Sequence, residues 1–164
     1  MKNTKLFLIP VLLFFISACA SSPESYEGIK HPQTTSVNVS FQEQTISDTC
    51  SAFAHLLMHS KGQSTGQDIA VAMRTEAMDK GANLLLIGMA REVTDEELTN
   101  NIFDYYGPKY SYTFNKTWLG WKFGFTDWNR GDRLIGLGTD TWGNSKIHFQ
   151  NSLLIQAVLL HCED

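Results

Sequence analysis

The chain has 164 residues, a formal net charge of −4, 12% aromatic and 18% charged side chains, and three cysteines. That length supports one domain with a real hydrophobic core and not two comfortable ones. An acidic balance with a pI near 5.7 excludes the basic footprint expected of a nucleic-acid binder.

Lys2 and Lys5 precede the apolar run LFLIPVLLFFISA, which is short for a membrane span and contains Pro10. It ends in Ile16-Ser17-Ala18-Cys19. Charged start, apolar centre and small residues before a cysteine resemble a bacterial lipoprotein signal. The resemblance implies cleavage before Cys19, lipid (palmitate among its acyl chains) on that cysteine, and, with Ala20 rather than aspartate next, an outer-membrane address on the periplasmic face. Residues 1–18 are then the signal peptide, and the membrane contact is the lipid rather than charge. Residues 19–36 hold Pro23 and Pro32, are polar and show no periodicity, so they read as a flexible tether with His31 solvated along it. The domain proper is expected over residues 37–164.

Residues 37–41 (VNVSF) alternate as a first strand. The stretch CSAFAHLLMH admits two readings, a strand or a helix capped by Asp48, and the strand is preferred because the polar SKGQST then leads directly into a well-marked helix. His55 and His59 share a face either way. Ser64 and Gln67 have capping-box spacing, and Ile69, Ala70, Met73 and Ala77 fall on one helical stripe. Glu76 and Lys80 stand at i, i+4 with the acid first. Gly81 supplies a left-handed stop, and LLLIG follows, too apolar for a surface strand and so predicted to be covered on both faces.

Residues 95–150 differ in character. They hold all four tryptophans, most tyrosines and many turn dipeptides, and read as a β-rich aromatic insertion with short strands over 110–114, 116–125 and 134–137. SLLIQAVLLHC closes the chain as a core strand beside LLLIG. The fold class predicted is α+β: one main helix packed on a small mixed sheet, with the insertion before the last strand.

A cysteine opening a strand, a helix ending in Gly81-Ala82-Asn83, an apolar strand and a late returning strand resemble a group of small bacterial envelope domains. That group includes the Rcs stress-sensing outer-membrane lipoprotein and the YbjQ-like domains. The residues carrying the resemblance are Cys50, Ala70, Ala77, Gly81, Ala82 and Asn83. The aromatic insertion is an addition to that pattern.

With Cys19 lipidated, Cys50 and Cys162 are an even pair in an oxidising compartment, and a structural disulfide between them is expected. His55, His59, His148 and His161 could ligate a metal only if they converge, and no metal-ligand spacing accompanies them, so no metal and no cofactor are expected. No nucleophile elbow or phosphate loop occurs. Asp127, Asp132 and Asp140 lie near tryptophans, the ingredients of a glycan site, but aspartates beside glycine and asparagine read first as turn formers. Alternation in 116–125 buries Trp121 and leaves Trp118, with Tyr110 or Tyr112 nearby, bordering a recognition surface. The reading is a lipid-anchored envelope protein without catalytic activity that binds another envelope component or senses envelope state. A glycan-binding or glycan-active protein is second, and a metal-binding sensor third.

Overall fold

In the computed structural model, residues 28–94, 98–106, 112–113 and 131–163 are described. Three long strands make the frame: β2 (Cys50–His59), β4 (Leu84–Val93) and β9 (Ser152–Cys162). The short ones are β1 (Asn38–Ser40), β3 (Ser64–Thr65), β5 (Ile102–Tyr106), β6 (Tyr112–Thr113), β7 (Leu134–Ile135) and β8 (His148–Phe149). The helix α1 spans Gly66–Asp79. The main sheet runs β1-β4-β9-β2-β5, with β6 on β2, β7 on β4, and β3 paired with β8 in a separate ladder. β1 lies parallel to β4, and the other pairs are antiparallel. This is the mixed-sheet α+β fold expected from sequence.

The continuous apolar runs are explained by burial on two faces. Leu153, Ile155, Ala157 and Leu159 of β9 pack with Ile69, Met73 and Ala77 of α1. The alternate residues Leu154, Val158 and Leu160 join clusters on the other face. A register shift between Ala52 and Ala54 lets both Phe53 and Ala54 face the helix, after which β2 resumes its alternation.

The helix begins one residue later than the Ser64–Gln67 spacing implies. Thr65 is the cap: its Oγ1 accepts from Asp68 N–H at 3.1 Å, and Asp68 Oδ2 accepts from Thr65 N–H at 2.9 Å. Ser64 is unavailable because its hydroxyl donates to Lys61 O at 2.8 Å while its backbone pairs with Phe149. Gly66 opens the helix because a Cβ there would stand 1.9 Å from Thr141 O. At the other end Gly81 takes φ +83°, Gly81 N–H donates to Met78 O and Ala82 N–H to Ala77 O, the doubled bonding of a Schellman stop. The expected Glu76–Lys80 pair is present at 3.3 Å.

The insertion does more than hang from the scaffold. Its strands β5 and β7 extend the main sheet on opposite sides. Phe103, Tyr105, Trp142 and Phe149 pack against the helix-side core, so part of its aromatic content is structural. Tyr105 also donates its hydroxyl to Glu76 of α1. The expected strand over 116–125 lies outside the described residues, and so do Trp118, Trp121 and Tyr110. Tyr112 is placed by its backbone, opposite Ala52.

The tether expectation needs correction at its C-terminal end. Thr34 N–H donates to Met78 O at 3.1 Å, Thr34 Oγ1 donates to Ala82 O at 2.6 Å, and Gln33 Nε2 donates to Asp79 Oδ1 at 2.6 Å. His31 is not solvated: its ring stacks on His161 with centroids 4.3 Å apart and touches Phe53. Met78 O at the end of α1, Ala82 O just beyond it and the bare Gly81 backbone give the passing chain somewhere to bind.

Candidate functional site

On the face of the sheet away from α1, chemistry-bearing side chains interrupt the apolar packing. Alternation in β2 sends His55, Leu57 and His59 to that face. Register sets Tyr106, Asp104 and Ile102 beside them on β5, and Val158, Gln156 and Leu154 beside them on β9. Arg91 of β4 lies opposite Leu154. His55, His59, Gln156, Asp104, Tyr106 and Arg91 thus form a polar seam around Leu57 and Leu154.

The seam is nearly dry. His55 is 7% exposed, His59 4% and Gln156 0%. Burial pushes His55 down to about 4, so its ring is neutral at physiological pH. His59 Nε2 lies 3.2 Å from Asp104 Oδ2. Gln156 is the anomaly, since its amide oxygen and nitrogen are both buried and neither has a hydrogen-bond partner among the described residues. Leaving such a group unsatisfied costs roughly 1–3 kcal/mol, and native proteins rarely keep one.

Arg91 is fastened at the rim, with Nη1 donating to Gly131 O at 3.1 Å and Asp132 O at 2.9 Å. Its stem lies so close to Gly131 that a Cβ there would meet Arg91 Cβ at 2.5 Å. Compared with models of protein families, with curated proteins and with solved structures, the chain matches none. The site must therefore be read from its own geometry.

Cys50 and Cys162, the first residue of β2 and the last of β9, are cross-strand partners with S–S 2.06 Å. His161 does not converge with His55 and His59. It follows the helix-side parity of Leu153 through Leu159, stacks on His31, and donates Nδ1–H to Gly81 O at 2.9 Å, so the three histidines lie on opposite faces of the sheet. His148 sits in β8, exposed at the helix start. No group of three metal-ligating side chains occurs among the described residues. Of the aspartates weighed for a glycan site, Asp132 accepts from the Thr94 hydroxyl, and its N–H donates to Glu92 O. Asp140 accepts Asn144 Nδ2 through its backbone carbonyl. Asp140 is a turn residue and Asp132 lies beside β4, while Asp127 lies outside the described residues, as do Cys19 and Trp128.

Gln156, Asp104, Tyr106 and Arg91 are the seam residues that sequence reasoning missed. Gln156 had a visible signal, an amide in the middle of the apolar run SLLIQAVLLHC. The others had none, because which residues of NNIFDYYG face β2, and that Arg91 of β4 falls opposite Leu154, depend on registers no local pattern specifies.

Proposed function

We propose that the protein is a lipid-anchored component of the bacterial cell envelope, cut before Cys19 and held at the periplasmic face of the outer membrane, that binds another envelope component and performs no catalysis. The carrying observation is the disposition of the cysteines. Cys50 and Cys162 stand at bonding distance, which fits an oxidising compartment, and their pairing leaves Cys19 alone at the end of a short apolar run. Binding rather than chemistry is supported by how the polar groups are spent. Buried Ser60, for instance, is committed to the backbone, its Oγ accepting Leu153 N–H at 2.9 Å. The unpaired amide of Gln156 is a cost to the fold that a purely structural strand has no reason to carry. Trp118, Tyr110 and Tyr112 remain the proposed contact residues for the partner.

Metabolic labelling with a palmitate analogue tests the anchor. Cys19→Ser is expected to abolish the label and leave the chain unprocessed, and Ala20→Asp is expected to move the labelled protein to inner-membrane fractions. Undiminished labelling of Cys19→Ser would sink the reading. Crosslinking in intact envelopes, with Trp118→Ala beside the parent chain, tests the binding surface.

A further inference from the structure

Residues 31–36 are held to the domain by a small set of contacts that converge on two imidazoles. The His31 and His161 rings lie nearly parallel, 8° apart with centroids 4.3 Å apart, and His31 is tilted against Phe53 at 4.7 Å. The backbone of His31 fills the space where a side chain at Gly81 would be, with a Cβ there 2.5 Å from His31 Cβ. Because a carbonyl only accepts, His161 must carry its proton on Nδ1 to bond Gly81 O, and its Nε2 is left a bare acceptor. His31 Nε2 is buried with no hydrogen-bond partner among the described residues. The lone pairs lie in the ring planes, so stacked rings offer no shared position for a metal ion.

We propose that the stacked His31–His161 pair is an acid-released latch: neutral, it fastens residues 31–36 along the closing turn of α1, and a proton on His31 frees that segment from the domain. A charge on His31 would be placed against a second imidazole and the apolar Phe53 ring, with no acceptor at Nε2 to receive the proton. The groups around it offer no compensation. From β2 comes Phe53, and from β9 comes His161, a second imidazole that repels a charge on His31 whenever it is itself protonated. The end of α1 brings Asp79 and Lys80, which pair with each other at 2.9 Å while Asp79 also holds Gln33. Cys50 and Cys162 are bonded and do not titrate. Desolvation and His161 both lower the His31 proton affinity, in the direction the geometry demands. Once His31 is charged, the attachments left are the Thr34 and Gln33 hydrogen bonds, which water can replace, and the contact of Ile29 with the core just upstream.

For the anchored protein, release of these six residues would add on the order of 20 Å of reach to a lipid tether, at about 3.3–3.6 Å each. That consequence rests on the anchor proposed above, whereas the latch itself does not. The test is a pH titration by NMR of the full chain in detergent, as it stands and as Cys19→Ser, following the His31 ring and the Thr34 amide. Both signals are expected to move together with a midpoint below the ordinary 6.5, while the amides of Leu56, Leu85 and Leu159 stay put. The two forms should behave alike, which separates failure of the latch from failure of the anchor. His31→Phe, which can stack but not titrate, is expected to stay docked at acid pH, and His31→Ala to be undocked at every pH. A Thr34 amide that stays docked through the His31 titration, or a His31→Phe chain that releases in acid like the parent, would overturn the latch.

Discussion

The two faces of the central sheet are built by the same three strands and are equally dry, yet they differ in kind. Toward α1 the packing is aliphatic and aromatic apart from the His31–His161 stack at its end, with Phe53, Leu56, Met58, Ile69 and Met73 fully buried. Away from α1, Leu57 and Leu154 are as buried but sit among His55, His59 and Gln156. Hydrophobic burial on one face is thus spent on stability, and on the other it surrounds polar groups that weaken the fold. A protein selected for stability alone would fill both faces alike, so the difference marks the second face as the one under a different demand.

The sharpest contrast is a matched pair of truncations. Leu56→Ala, under the helix, is expected to cost about 4 kcal/mol, transfer loss plus an apolar cavity that stays empty. Leu57→Ala, one residue on and equally buried, is expected to cost only about 2 kcal/mol, because a cavity beside Gln156 can admit water that bonds the unpaired amide. Denaturant midpoints for the two variants check this, and equal losses would show that the polar seam makes no energetic difference.

Next in size is the pH dependence. Folded His55 takes up a proton only near pH 4, whereas the unfolded side chain does so near 6.5. Between those values the unfolded state binds more protons, so stability is fully present above 6.5 and falls as the pH drops through the window. The loss is on the order of 3 kcal/mol for a shift of this size. Lowered proton affinity at His31 adds in the same direction. His55→Leu is expected to flatten most of the slope in urea titrations run from pH 7 to pH 4, and an unchanged slope would place the acid sensitivity elsewhere.

The smallest effect has the opposite sign. Gln156→Leu removes a buried amide that has no partner and is expected to raise stability by about 1 kcal/mol. If binding of an envelope component depends on the amide, crosslinking should fall in the same variant. A destabilised Gln156→Leu would mean that the amide is satisfied in solution by an interior water.

Much of the helix side was legible beforehand because its signals are local. The stripe of Ile69, Met73 and Ala77, the Gly81 stop and the apolar runs each encode their surroundings within a turn or a strand. The cap shifted by one residue because Ser64 and Thr65 are chemically equivalent candidates. Only the distant pairing of Ser64 with Phe149 and the approach of Thr141 to Gly66 decide between them. The docked segment was invisible for a related reason: HPQTT is as polar as any tether, and its partners at Met78, Ala82 and His161 lie far along the chain. The seam was half legible. His55 and His59 share a face by periodicity, but Asp104 and Gln156 join them only through cross-strand register.

The place of β9 in the sheet also bears on when the domain can form. β2 and β4 are not neighbours; each pairs with β9, which lies between them and is the last of the described strands to leave the ribosome. Until those eleven residues emerge, the two halves of the sheet have nothing to join them, and the helix has only part of a surface to pack on. Pairings this distant in sequence close slowly. For a chain exported as proposed above, a centre supplied last would keep the polypeptide threadable until β9 has been made.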